Sequence, residues 1–569
     1  MFDYYNNPRF RFIRASTIMD IKTQLSYIVQ GEVDDTEETR RIYSHDASIF
    51  ELEPQVIVYP KDSSDVARLV TFVNQTTHER FSLTARSGGT DMGGGAISDS
   101  IIVDMTRHIN HLKKVEKSSD DSGTGFAVTE PGVFYRDFEK ETLKFNLLLP
   151  PYPASREICT VGGMVANNSG GEKTLAYGQI IRYVHSLKIV LQDGNEYSFR
   201  ALNRDELEGK MQLHTFEGRV YQDVYELFEK YHEVIKVARP TVTKNSAGYQ
   251  VWDVWDKEKG VFDLTKLFVG SQGTLGIITE IGFRLIQPKK HSKLLVIFLK
   301  DLKELPEIIK RVLSHKPESF ESYDDHTLSL AIKFFPDVIK FFKASIFKIA
   351  FQFLPEAIMM LTGGIPKLVL MAEFTDDIEE EVNMKAGAAL KNLEGLHLKA
   401  RITQSEEETR KYWVIRRESF SLLRKHIHGR HTAPFIDDMV VHPDQLSEFL
   451  PQLEAILKPY NLTYTIAGHA GDANFHIIPL MDFREPHLRE IVMELSKKVY
   501  ELVFKFGGSM TGEHNDGMVR GPFLKDMYGS EVYGIFQEIK HIFDPNNIFN
   551  PHKKTDATLE YSMEHLKTE

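Results

Sequence analysis

The sequence predicts an α+β protein built from more than one domain, and three observations lead there. Strand-like and helix-like segments alternate up to about residue 290. Beyond that point glycines thin out and longer helical patterns run to about residue 505. The chain has 569 residues, too many for one compact core, so two or three domains are the ordinary solution. Texture divides it into an N-terminal segment 1–52, a glycine-rich portion 53–290, a second portion 291–505 and a C-terminal segment 506–569.

The elements follow in order. Residues 55–59, Gln-Val-Ile-Val-Tyr, read as a strand, and 60–70 read as a helix with Ser63 or Ser64 as N-cap. Residues 81–86 form another strand that runs into a glycine loop, Ser87-Gly-Gly-Thr-Asp-Met-Gly-Gly-Gly95, and 101–105 are a strand again. A second glycine-rich stretch runs from Val161 to Gly171 and a third from Val269 to Thr279. The segment 544–551, Asp-Pro-Asn-Asn-Ile-Phe-Asn-Pro, is a turn-rich close.

Composition removes several function classes. Net charge is −12, so the basic footprint of a nucleic-acid binder is missing. The single cysteine, Cys159, leaves no disulfide framework, no iron–sulfur cluster ligated by this chain alone and no cysteine-based zinc finger. The N-terminus lacks the apolar run of a secretory signal, and no window approaches 18 uninterrupted apolar residues. A cytoplasmic protein is expected.

Glycines clustered after strands let backbone N–H groups approach a phosphate closely. One such loop is more often a tight turn; three in one α/β portion point to a phosphate-bearing cofactor. The Gly-x-Gly-x-x-Gly fingerprint and the P-loop pattern are both absent.

Four segments together carry a family resemblance: Pro60-Lys-Asp-Ser-Ser-Asp-Val, Arg86-Ser-Gly-Gly-Thr90, Val161-Gly-Gly-Met-Val-Ala-Asn-Asn-Ser-Gly-Gly171 and Gly270-Ser-Gln-Gly-Thr-Leu-Gly-Ile-Ile-Thr279. In this order they resemble the FAD domain of the vanillyl-alcohol-oxidase (PCMH) type. The similar branch holds D-lactate dehydrogenases, the glycolate oxidase D-subunit and D-2-hydroxyglutarate dehydrogenase. The resemblance covers about 50–290 and 400–552. It implies an α+β cap, or substrate, domain and a C-terminal segment that returns to the FAD domain. It also implies an FAD site at Arg86, Ser87, Gly88, Gly89, Thr90, Asp91, Gly162, Gly163, Asn167, Ser169, Gly170, Gly273, Thr274, Ile278 and Asn550. Ser87 stands where glycine is usual, and Gln272 where glutamate is usual. Some relatives bind FAD covalently through a histidine in these loops; here Thr90 holds that place, so non-covalent FAD is expected.

A second signal is Gly468-His-Ala-Gly-Asp-Ala-Asn-Phe-His476. A turn between His469 and His476 lets both converge, and in an extended strand Asn474 and His476 share a face. Further on, Thr511-Gly-Glu-His-Asn-Asp-Gly517 places Glu513 and His514 in a glycine-flanked loop where both can face one cavity. Two histidines and a carboxylate leave open coordination positions, as catalytic metals need. The His-x6-His spacing alone is weak, since structural histidines are commoner. By matched position the resemblance makes His469, His476 and Glu513 the ligands of a divalent metal, with zinc expected and manganese the alternative. His514 becomes the general base.

A third segment, Tyr412-Trp-Val-Ile-Arg-Arg-Glu418, resembles the family stretch that supplies an arginine for the substrate carboxylate. Arg416 fits that place and Arg417 is its neighbouring alternative; a solvated Arg–Glu helix face is the plainer reading. Downstream, 433–443 resembles a family strand with an acidic residue lining the site. A mammalian-type 2-hydroxyglutarate enzyme would have lysine near Ile436.

The expectation is therefore an FAD-dependent dehydrogenase of a small D-2-hydroxy acid, D-lactate foremost, with metal-assisted hydride transfer to flavin N5 and the 2-keto acid as product. Electrons would leave to a quinone, an electron-transfer flavoprotein or a separate iron–sulfur subunit. A same-fold oxidase, a non-redox flavoenzyme and an FAD-carrying electron-transfer subunit are the alternatives. Within the aromatic-rich stretch 333–362, residues 333–354 place Phe335, Val338, Ile339, Phe342, Ile346, Ile349, Ala350 and Phe353 on one helical face, with other phenylalanines off it. Such a helix is either buried in the cap or docks on a partner or the inner face of the membrane.

Overall fold

The computed structural model describes residues 20–568 apart from 77–79, 120–122, 334–363 and 427–428. The aromatic-rich stretch lies outside the described residues from 334 onward. Three sheets organise the rest. The first contains β1 (Glu32–Asp34), β2 (Val56–Tyr59), β3 (Leu83–Arg86) and β4 (Ile101–Asp104) in the order β1-β2-β4-β3. β2, β4 and β3 run parallel, and every residue of β2 and β4 is buried, as a parallel sheet covered on both faces requires.

The helix Ser63–Gln75 crosses over this sheet. Val66, Leu69, Val70 and Val73, at helical spacing, share one core with Val56, Val58, Ile101 and Val103. Its N-cap is Asp62, not Ser63 or Ser64 as the sequence suggested. The Asp62 carboxylate accepts from the Ser64 and Asp65 amides, and Ser63 is already the first helical residue.

The second sheet is antiparallel: β5 (Leu112–Lys117), β6 (Gly125–Thr129), β7 (Val184–Val190), β8 (Glu196–Arg200) and β11 (Ile277–Leu285), in the order β5-β6-β11-β7-β8. A two-stranded ribbon, β9 (Trp255–Asp256) with β10 (Val261–Phe262), stands apart.

The third sheet is antiparallel with eight strands. These are β12 (His291–Leu299), β13 (Ser319–Asp324), β14 (Leu368–Asp376), β15 (Lys399–Ile402), β16 (His431–Thr432), β17 (Met439–Val440), β18 (Thr463–His469) and β19 (Asn474–Met481). The order is β15-β12-β14-β13-β18-β19-β16, with β17 also on β19.

The C-terminal segment returns to the first sheet. The Leu83 amide donates to Ile548 O and the Asn550 amide to Leu83 O, so 548–550 lies beside β3. Among the described residues no helix is long and apolar enough to cross a membrane.

Candidate active site

One cavity of about 1050 Å³ joins the glycine loops of the first two sheets to the third sheet. Its walls include Arg86, Ser87, Gly88, Gly89, Thr90, Asp91, Gly162, Gly163, Asn167, Ser169, Gly170, Gly273 and Ile278 on one side. On the other stand Arg416, His469, His476, Glu513 and His514. Residues read from motifs far apart in sequence therefore meet in one space.

The loops are fastened to each other mostly by neutral groups. The Asp91 carboxylate accepts from the Gly93 and Gly95 amides and from the Asn167 side chain. Gln272, in the left-handed region at φ 53°, donates toward Asp91 and Asn167 through its side chain, whose carbonyl accepts from the Gly517 amide. An amide can do both, while a glutamate there would set a second carboxylate against Asp91, which is the physical reason glutamine serves here.

Two expected cofactor residues do not line the cavity. Asn550 is buried behind it, donating to Gly95 O and Gln272 O and accepting from Thr84 Oγ1, so it clamps two loops together. Thr274 donates to Ser271 O and meets Tyr249. Arg86 reaches back to the carbonyls of Tyr43, His45 and Ala96.

The residues present suit an extended phosphate-bearing cofactor. A Cβ built on Gly273 would meet no protein atom within 4 Å, and one on Gly163 nothing nearer than 3.5 Å; both glycines face cavity, not packed protein. Gly163 sits in the first turn of the helix Val161–Asn167, capped by Thr160.

The opposite wall is built from charges. β18 ends at His469, a tight turn with Ala473 at φ 49° reverses the backbone, and β19 carries His476. His469 Nε2 lies 3.2 Å and His476 Nε2 3.5 Å from Glu513 Oε1. Each ring is held from behind: His469 Nδ1 by Glu321 at 2.6 Å, His476 Nδ1 by one oxygen of Asp437 at 3.2 Å and His514 Nδ1 by the other at 2.7 Å. Carboxylates placed so fix ring tautomers and leave the three Nε2 atoms for other work. Asp438, at φ 71°, accepts from Thr511 Oγ1 and the Glu513 and His514 amides, which is what turns both side chains of that loop to the cavity. Glu513 Oε2 accepts from the buried Lys244 at 3.1 Å. A Cβ on Gly170 would lie 2.7 Å from Glu513 Oε2, so the second glycine loop touches the cluster only because it is glycine there.

This donor set suits a divalent cation. Five buried carboxylates (Glu321, Asp437, Asp438, Asp472 and Glu513) surround the histidines, against the three cations Lys244, Arg416 and Arg520. With the histidine rings neutral, one divalent ion would balance that excess; without an ion, protons drawn onto the rings balance it. The same field acts on the rings. Burial opposes a charged ring, yet Glu321 outweighs it at His469, and Asp438 and Asp437 outweigh it at His514, lifting each to about 9. Asp438, His476, Glu513 and His514 also offer one ligand atom each within 4.8 Å of one another. Asp438, however, already accepts from several donors, its other oxygen taking the Asn474 amide, whereas His469 Nε2 faces Glu513.

Arg416 Nη2 lies 3.1 Å from Glu321 Oε2, so Glu321 grips Arg416 with one oxygen and His469 with the other. Arg417 also lines the cavity, stacked on Trp413 and paired with Glu172 through two hydrogen bonds. Ile436 is fully buried in the apolar core. Sequence reasoning missed Glu321 and Lys244. A glutamate inside β13, where all six residues are buried, was a usable signal; nothing near Lys244 marked it.

Residues 54–200 match the family described as FAD binding domain, and residues 288–554 match FAD linked oxidases, C-terminal domain. D-2-hydroxyglutarate dehydrogenase of Pseudomonas putida is 27% identical over 528 residues, 92% of this chain and 50% of that protein. Glycolate oxidase subunit GlcD of Bacillus subtilis is 25% identical, covering 94% of this chain and 96% of its own. D-lactate dehydrogenase of Archaeoglobus fulgidus is 26% identical, covering 88% and 90%. The chain spans about half the length of the D-2-hydroxyglutarate dehydrogenases it matches. Among solved structures, p-cresol methylhydroxylase with substrate bound superposes with a TM-score of 0.66 at 15% identity, over 95% of this chain and 96% of that one. A 4-ethylphenol oxidase from Gulosibacter chungangensis also gives 0.66 at 15%, over 94% and 96%.

Fold and cavity thus define a flavoprotein of the vanillyl-alcohol-oxidase, or PCMH, class with an α+β architecture. The chain joins an FAD binding domain to an FAD linked oxidase C-terminal domain, and it is similar to FAD-linked 2-hydroxyacid dehydrogenases.

Proposed function

We propose that this protein oxidises a small D-2-hydroxy acid to its 2-keto acid, with D-lactate the first substrate to test. The observation that supports it is the single cavity in which the glycine loops meet Arg416, His514 and the His469–His476–Glu513 group. Residues 53–290 and 506–569 serve the cofactor, and 291–505 form the cap.

Asp91, Asn167 and Gln272 hold the loops that take non-covalent FAD, and His469, His476 and Glu513 hold a divalent metal, zinc or manganese. Bound FAD supplies a two-electron acceptor and the metal a Lewis acid. Arg416 takes the substrate carboxylate by a planar two-point contact, and Glu321 aims it. His514 takes the hydroxyl proton at Nε2, because Asp437 occupies Nδ1. The fields of Asp437 and Asp438 make that ring strongly basic, and a divalent cation held by His469, His476 and Glu513 would oppose them and keep Nε2 free until the substrate supplies its proton. Electrons pass on to a quinone, an electron-transfer flavoprotein or a separate iron–sulfur subunit.

The test is anaerobic bleaching of the flavin band by a panel of D- and L-2-hydroxy acids, before and after chelation. Bleaching by a D-acid, lost with chelator and restored by zinc or manganese, is the expected result. A flavin-loaded protein that no acid bleaches would sink the reading.

A further inference from the structure

We propose that Lys244 is a positioning residue for the metal site. It commits one oxygen of Glu513, ties that ligand to the turn carrying His469 and His476, and leaves Glu513 to offer a metal ion a single oxygen. The inference rests on the reading of His469, His476 and Glu513 as metal ligands and adds how the third ligand is presented.

The two oxygens of Glu513 have different surroundings. Oε1 lies 3.2 Å from His469 Nε2 and 3.5 Å from His476 Nε2. Oε2 accepts from Lys244 Nζ at 3.1 Å, and Gly170 packs against it, since a Cβ there would lie only 2.7 Å away. A carboxylate held in this way presents Oε1 to the histidines and keeps Oε2 turned to the ammonium.

Lys244 also reaches the segment between the two histidines. Its Nζ lies 3.4 Å from Asn474 Oδ1 and 3.5 Å from Asp472 Oδ2, and the neighbouring Thr243 donates to Asp472 O. Asp472 closes the turn after His469, and Asn474 opens β19 ahead of His476. One ammonium therefore ties a ligand from the C-terminal segment to the turn that spaces the other two. Asp472 offsets the ammonium charge, so Glu513 is held without a net positive charge being set beside the ion. Lys244 is fully buried and is not among the residues that line the cavity, so it acts through Glu513 and not on substrate.

Buried lysines elsewhere in the fold are used differently. Lys540 and Lys554 each give two contacts to neutral oxygens and one to a carboxylate. Lys244 gives two of its three to carboxylates, and all three fall on the segments that carry the ligands. Two imidazoles and a one-oxygen carboxylate suit zinc, which takes tetrahedral sites, better than manganese, which favours octahedral, oxygen-rich ones.

The experiment titrates zinc and manganese separately into the flavin-loaded protein after chelation, with binding read by competition against a metal-indicator dye. Lys244→Met removes the ammonium and keeps an unbranched side chain. Its zinc affinity should fall about 10–100-fold, while manganese, able to take both freed oxygens of Glu513, loses less, so the zinc-to-manganese ratio of affinities falls. Equal losses for both ions, as simple loosening of the fold would give, or no loss for either, overturn the role given to Lys244.

A crystal structure of the unaltered protein loaded with flavin and zinc tests the same point without relying on the variant to fold. It should show Oε1 alone on the ion and Oε2 still on Lys244; both oxygens on the ion overturn the proposal while leaving the metal site intact. Binding of neither ion by the unaltered flavin-loaded protein removes the metal reading and this inference together.

Discussion

The two walls of the cavity are held in different ways. The glycine-loop wall depends on backbone shape and on side-chain amides: Asn550, Asn167 and Gln272 tie three loops together around one carboxylate, Asp91. The opposite wall depends on buried charge: Glu321, Asp437 and Glu513 hold His469, His476 and His514 at defined ring nitrogens. A neutral amide lost from the first wall leaves water or a neighbouring group to compensate. A charge lost from the second leaves its buried partner uncompensated. Lesions in the first wall should therefore act on cofactor retention and stability, and those in the second on turnover and metal content.

The largest effect is expected at His514. In the proposed reaction its Nε2 accepts the substrate proton, so His514→Ala should lower kcat about 10²–10⁴-fold while FAD content, read from absorbance, is unchanged. Near-normal turnover would break the assignment of this wall to chemistry.

A smaller loss follows when the group behind a ring is changed. Asp437→Asn keeps the shape but can no longer accept from both His476 and His514, and Glu321→Gln likewise can accept from only one of His469 and Arg416 and loses the charge that pairs with Arg416. Each should cost about 10–100-fold in metal affinity or activity, measured as metal retained after dialysis alongside kcat. Glu321→Gln should also raise KM, because Arg416 loses its support; an unchanged KM would separate Arg416 from substrate.

On the first wall, Gln272→Glu sets a carboxylate against Asp91 and removes a donor. The expected cost is about 1–3 kcal/mol, seen as a lower Tm and weaker FAD retention, with turnover at saturating FAD close to the unaltered protein. A loss of kcat that excess FAD does not restore would erase the distinction between the walls.

The same contrast explains what could be read in advance. Glycine loops are contiguous in sequence, so the first wall was legible there, and the resemblance they carry implied the fold class and the return of the C-terminal segment. His469, His476, Glu513 and His514 were legible because short motifs carry them. Their supports were not, since Glu321 reaches His469 across 148 positions and Lys244 reaches Glu513 across 269. No local pattern records a contact made only by tertiary packing. The cap Asp62 was misread for a simpler reason: three adjacent residues, Asp62, Ser63 and Ser64, can all cap a helix, and only backbone geometry decides between them.

The smallest effect sharpens the comparison at its weakest point, a buried cation in the segment behind the glycine loops. Lys553 follows the Asn550 clamp, is 2% exposed, and is pushed down to about 8 by burial, which the carboxylates of Asp556, Asp46 and Asp99 only partly oppose. Between pH 8 and about 10.5 the unfolded state binds a proton at this lysine that the folded state lacks. Folding stability from this group therefore rises with pH across that window, by at most about 1.4 kcal/mol per pH unit. Below pH 8 both states are protonated and the slope vanishes. Denaturant unfolding of the flavin-loaded protein from pH 7 to 10 should show that rise, and Lys553→Met should reduce it, the buried Lys554, also pushed down, keeping part of the slope. If the variant keeps the full slope, the burial of Lys553 carries no such penalty, and the first wall is free of buried-charge cost at this position.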